Sequence, residues 1–93
     1  MDKNFIYTRS LNCAAYLLYF NKQPIEFYVD NKTDKILFKF KNNYINRQLY
    51  DSYKENIHNQ GNVFLDIVKY NKIIKKLKNA SREFKKDIYL EVK

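Results

Sequence analysis

Few side chains in this chain have the chemistry of a catalyst. It has one cysteine, Cys13, and one histidine, His58. Nucleophilic catalysis needs a nucleophile held beside a base. Here the cysteine lies in the apolar run Cys13-Ala14-Ala15-Tyr16-Leu17-Leu18, and the histidine lies alone in the polar stretch Glu55–Gly61. A thiol in apolar surroundings behaves as a small hydrophobe. One Cys and one His also fall short of the four nitrogen and sulfur ligands of a structural zinc site. Asp30 and Asp34 flank Asn31-Lys32-Thr33, and two carboxylates so placed read as turn residues rather than cation ligands. A single glycine leaves no phosphate-cradling loop. The sequence therefore predicts a non-enzymatic protein with no catalytic residues, no metal and no cofactor.

Binding chemistry is better supplied. Eighteen basic residues against ten acidic ones give a formal charge of +8. From Ile67 to Asn79 there are five lysines and no acid. Wound as a helix, Val63, Ile67, Tyr70, Ile74 and Leu77 fall on one stripe, and Lys69, Lys72, Lys75 and Lys76 on the other side. Such a helix anchors itself to a core and offers its cations to phosphates or to protein carboxylates. Nucleic-acid binding also asks for aromatic rings to stack on bases. Tyr28 beside Lys39 and Lys41 on one face of a hairpin, and Tyr50 beside Arg47 on a helix, supply both. The run KILFKFK from Lys35 to Lys41 has the flavour of an aromatic strand but lacks the glycines of an RNA-recognition motif.

Phe64 and Val68 fall off the buried stripe, next to the lysines. An apolar pair beside cations suits contact with an acidic, partly apolar protein surface; packing against the chain's own C-terminal segment is the competing account. The charge has a competing origin as well. All but three of the basic residues are Lys, and Lys, Asn, Ile and Tyr are the residues of A/T-rich codons. Codon usage on a solvated surface therefore stands beside the functional reading.

Positioning these groups falls to one domain spanning 1–93, long enough for a single core. Phe5-Ile6-Tyr7 suits a short strand. Ser10 is placed to cap a first helix from Leu11 to about Asn21, apolar nearly all round and hence central. Ile25, Phe27 and Val29, then Ile36, Phe38 and Phe40, alternate with Glu26, Tyr28, Leu37, Lys39 and Lys41 in the period of two that marks half-buried strands. Asp30–Asp34 between them has turn chemistry, which makes a β-hairpin. If the Ile/Phe/Val face meets the first helix, Tyr28, Leu37, Lys39 and Lys41 face outward. Asn42 or Asn43 caps a second helix with Ile45, Leu49 and Tyr53 inward and Arg47, Tyr50 and Lys54 outward. Glu55–Gly61 reads as a loop, and Asn62 as the cap of the lysine helix. Ile88, Leu90 and Val92 fit either an edge strand or a helix running on through Phe84. The fold class is α+β: a small antiparallel sheet, a hairpin plus a third strand, covered on one face by helices, with a basic C-terminal helix.

The succession from Ser10 to Tyr53 (SLNCAAYLLYFNKQPIEF, then KILFKF, then NNYINRQLYDSY) resembles a short uncharacterised α+β domain of small phage and mobile-element proteins. That family's pattern is a Ser, a helical Leu-Ala-x-Tyr-Leu block, a hairpin ending in Phe-x-Phe, and a helix with a late Tyr. Ala14-Ala15-Tyr16-Leu17, Phe38-Lys39-Phe40 and Tyr50 or Tyr53 match it. The family's usual Gly after the first helix is absent, with Asn21-Lys22 near its place. The resemblance covers about half the chain and implies a phage or mobile-element setting with no assigned activity.

The expected function is sequence-tolerant binding of single-stranded nucleic acid. The runner-up is an accessory phage protein that docks on an acidic surface of a host nucleoprotein complex and inhibits it, in the manner of an anti-CRISPR protein. A homodimer fits the apolar pair equally well. A lone cysteine, no apolar run near ~18 residues and no basic-then-apolar N-terminus lead to an expected place in the bacterial host cytoplasm, away from membranes.

Overall fold

The period-two runs become one sheet and the remaining apolar stripes become three helices. A computed structural model describes residues 3–59 and 65–91, with side chains at 3–55 and 65–88. In chain order the elements are β1 (Phe5–Thr8), α1 (Leu11–Phe20), β2 (Glu26–Asp30), β3 (Lys35–Lys41), α2 (Tyr44–Asn59) and α3 (Ile67–Glu91). β3 is the central strand. It pairs antiparallel with β2, setting Phe27 opposite Phe38 and Tyr28 opposite Leu37. On its other side it pairs antiparallel with β1, setting Ile6 opposite Phe40 and Tyr7 opposite Lys39. β1 and β2 thus run parallel with β3 between them, and α1 links them as a split β-α-β unit. The chain is an α+β fold with a three-stranded antiparallel sheet and helices on one face.

Local chemistry sets each joint. Asp30 closes the hairpin: its carbonyl accepts from the Thr33 and Asp34 amides, and its carboxylate from the Lys32 amide and the Thr33 hydroxyl. Asp34 takes the left-handed conformation the turn needs, φ 57°, which Asp tolerates better than most non-glycine residues. Ser10 caps α1, its Oγ accepting from the Cys13 amide at 3.1 Å. That helix buries Cys13 to Leu17 against Ile6, Phe38 and Phe40. It is central, as its lack of a polar face required.

α3 lies on α1 through Tyr70, Ile73, Ile74 and Leu77, and reaches the sheet where Phe84 stacks on Phe27 with ring centroids 5.1 Å apart. Its cap is Asp66, whose Oδ1 accepts from the Val68 and Lys69 amides, in place of Asn62, which lies outside the described residues with Val63. Ile67 is 66 % exposed rather than inward. With Ile73 on the buried side, the centre of the stripe turns about 70° away from Ile67. The C-terminal segment is helix rather than edge strand, because Phe84 and Ile88 carry on the three- and four-residue spacing of Leu77 and Ala80.

α2 departs from expectation in three places. Asn43 caps it as expected, accepting from the Asn46 amide at 2.8 Å. The inward position of its first turn belongs to Asn46, 0 % exposed, while Ile45 is 56 % exposed. Tyr50 is half-buried and packs on the core with Leu49 and Tyr53 instead of standing outside. The polar stretch expected as a loop from Glu55 continues the helix to Asn59, since no Gly or Pro interrupts it before Gly61.

Candidate nucleic-acid interface

Strand parity and the β1–β3–β2 register divide the sheet into two unlike faces. Ile6, Thr8, Phe27, Val29, Ile36, Phe38 and Phe40 point to the helices. Phe5, Tyr7, Glu26, Tyr28, Asp30, Lys35, Leu37, Lys39 and Lys41 point the other way. Among the described residues no helix lies over this second face: α1 packs on its reverse, α3 meets the reverse at Phe27, and α2 packs on α1.

On that face, Tyr7 of β1 and Tyr28 of β2 lean toward each other across β3. Their ring centroids are 5.2 Å apart and their planes 66° apart, an edge-to-face contact. Leu37, expected to be exposed, lies between the two strands on this side and is only 5 % exposed, outside the main core cluster. Phe5 extends the row, its ring 6.5 Å from that of Tyr7. The Lys39 ammonium sits 3.9 Å from the centre of the Phe5 ring and 3.7 Å from the Glu26 carboxylate. Lys41, one pleat on, is exposed. Three half-buried rings, two lysines and the Glu26 carboxylate therefore share one surface, with the Lys39 ammonium on the Phe5 ring.

The other candidate cations lie elsewhere. Lys69, Lys72, Lys75 and Lys76 are exposed along α3, in the helix layer on the far side of the sheet, with Lys69 4.8 Å over the Tyr19 ring. Arg47 and Lys54 flank Tyr50 on α2, 5.8 and 4.4 Å from its ring centre. The sequence-derived set is thus three separate groups, and only Tyr28, Lys39 and Lys41 are brought together with further rings. Phe5 and Tyr7 were missed as site residues. Their alternation about Ile6 was visible, but only the β1–β3 register tells which face they join.

Of the apolar pair, Val68 is 65 % exposed beside the exposed Ile67, and Phe64 lies outside the described residues. Cys13 is buried. Desolvation pushes its thiol above the usual range, outweighing the lowering by a hydrogen bond to Thr8 and by the Lys54 charge. His58 is in the last turn of α2, its side chain outside the described ones. Among the described residues no three His, Cys, Asp or Glu side chains group as metal ligands, and no helix is long and apolar enough to cross a membrane. Compared with known proteins, the chain matches no family model, no curated protein and no solved structure, so its own residues carry the functional argument.

Proposed function

We propose that this protein binds single-stranded nucleic acid without catalysis and with little sequence preference, in a phage or mobile-element setting. The observation that carries this reading is the helix-free sheet face on which Phe5, Tyr7 and Tyr28 lie with Lys39 and Lys41. Each base stacked on an aromatic side chain is worth about 1–3 kcal/mol, and every base has a face to offer. Lysine holds phosphate as a point charge and lacks the planar fork with which arginine reads guanine, so affinity comes without base selection. A duplex hides its bases, which leaves a single strand as the form these rings accept.

The test is fluorescence anisotropy of a short labelled single strand at low salt. Tyr28→Ala is expected to weaken binding about 5- to 150-fold, the size of one lost stack. Lys39→Gln with Lys41→Gln is expected to weaken it further, with melting temperature followed for each variant. Binding indifferent to all three changes removes the sheet face as the interface.

One observation favours the protein-docking alternative. Ile67 and Val68 are exposed side by side at the head of α3, next to Lys69 and Lys72. Aliphatic anchors beside cations suit an acidic surface of a host nucleoprotein complex. In that case Val68→Asp abolishes capture of the complex from nuclease-treated host lysate and leaves oligonucleotide binding intact.

A further inference from the structure

β3 is longer than its partner on one side. β1 ends at Thr8 opposite Phe38, so Lys35, Ile36 and Leu37 pair with β2 alone. Where β1 would continue, the chain turns away at Arg9 into α1 and leaves a notch in the sheet edge. The notch opens onto an open cleft of about 620 Å³ bordered by Ile36, by Thr33 and Asp34 of the hairpin turn and by Ser81 of α3. Three cations from three elements line it: Arg9 after β1, Lys35 at the start of β3 and Lys85 on α3. Among the described residues none of them is ion-paired; the one ion pair is Lys39 with Glu26. Asp34 also lines the cleft, so three cations and one carboxylate leave it with two net positive charges.

The lining specifies the ligand by what it offers. It has no aromatic ring and one aliphatic side chain, so it has nothing to grip a base. It offers positive charge to a compact anion, and the net of two matches a phosphomonoester, which carries about −1.5 to −2 at pH 7. An internal phosphodiester carries one charge and gains less there. Ile36, Ser81 and Lys85 line the notch from the helix side, and Lys35, which has the outward parity of Leu37, Lys39 and Lys41, is its one link to the aromatic face past the open edge of β3.

The geometry points to a subsite for a terminal phosphate, the phosphorylated end of a single strand laid across the sheet face. This rests on the nucleic-acid reading above, which supplies the strand. The same chemistry is carried by free small phosphates, and the experiment separates the two sources.

Three strands of one sequence are compared by anisotropy: hydroxyl at both ends, phosphate at the 5′ end, and phosphate at the 3′ end. One phosphorylated strand is expected to bind about tenfold tighter than the hydroxyl strand, the worth of one charge-assisted contact. The gain fades as pH falls through about 6, where the monoester loses its second charge. Arg9→Gln with Lys85→Gln removes the gain and leaves the hydroxyl strand within about twofold; both side chains are exposed, and the melting temperature checks the fold. Inorganic phosphate cancels the gain only at far higher concentration than the strand. Equal affinity for all three strands, with binding still weakened by Tyr28→Ala, overturns the notch and keeps the sheet interface. Failure of every strand to bind overturns both. Inorganic phosphate competing as tightly as the phosphorylated strand overturns the strand-end assignment in favour of a free anion.

Discussion

Gln23 and Asn46 exchange side-chain hydrogen bonds in both directions, Gln23 Nε2 donating to Asn46 Oδ1 and Asn46 Nδ2 to Gln23 Oε1, each at 3.0 Å. Asn21 Nδ2 adds a second bond to Asn46 Oδ1 at 2.9 Å, and Asn46 Nδ2 reaches the Lys41 carbonyl at 3.0 Å. One fully buried amide therefore uses both donors and both acceptor sites, and ties the exit of α1, the end of β3 and the start of α2 to a single point. Burial of a polar group is tolerated because every capacity is met. The joint also fixes where the chain leaves β3, and so the place of Lys41 at the rim of the sheet face.

Asn46→Ala is expected to destabilise the fold by about 2–4 kcal/mol, because it takes the partner from Gln23 Oε1, Asn21 Nδ2 and the Lys41 carbonyl as well as leaving a void. The neighbouring Ile45→Ala is expected to change stability by less than about 0.5 kcal/mol, as exposed positions do. Urea unfolding of the two variants checks this. The opposite ranking would restore Ile45 to the core.

The central core residue is Leu17 rather than Leu18, which is only half-buried on the flank of α1. Leu17→Ala and Phe38→Ala are each expected to cost about 2–5 kcal/mol, and Leu18→Ala distinctly less. Thermal melts of the three variants measure it, and equal losses at Leu17 and Leu18 would show that α1 is buried all round.

These positions show what could be read from the chain and what could not. The hairpin, the Ser10 cap and the all-apolar α1 follow from local rules: alternation, an oxygen at the right place, and the absence of a polar face. Asn46 does not, because its burial depends on partners about twenty residues away that no helical periodicity reveals. The aromatic face was half legible. Tyr28 and the lysines declare themselves by alternation, whereas Phe5 and Tyr7 join them only through the register of a strand thirty residues distant. The lysine helix was legible as a pattern and misplaced at its start, since Asn62 and Asp66 are both good caps and only tertiary packing chooses between them.

Tyr70 donates its hydroxyl to the Asn12 carbonyl at 2.7 Å. Burial first, then the neighbouring Tyr53, Cys13 and Tyr16, push its phenol up to about 12 from an ordinary 10.0. As pH rises past 10 the unfolded chain loses this proton while the folded one keeps it, so stability falls between about pH 10 and pH 12 and is complete below. The ring is partly exposed and solvent screening keeps the effect modest. Tyr70→Phe is expected to lose about 1 kcal/mol at neutral pH with its hydrogen bond, and to show a shallower alkaline decline. Urea midpoints for wild type and variant over that window decide it, and parallel curves would exclude Tyr70 as the group responsible.

Salt dependence separates the sheet face from the lysine helix. Each phosphate contact adds about 0.7 to the slope of log affinity against log salt on single strands. If the strand lies on the rings, Lys39→Gln with Lys41→Gln lowers that slope by about 1.4, because both contacts are lost. Lys69→Gln, Lys72→Gln and Lys76→Gln together then lower it by less than about 0.7, since those lysines lie in the helix layer and only attract the strand from a distance. None of the five substitutions touches the core, so stability is expected to hold. The reverse pattern, a large change from α3 and a small one from β3, would move the strand to the lysine helix and leave Tyr7 and Tyr28 as a lid over Leu37.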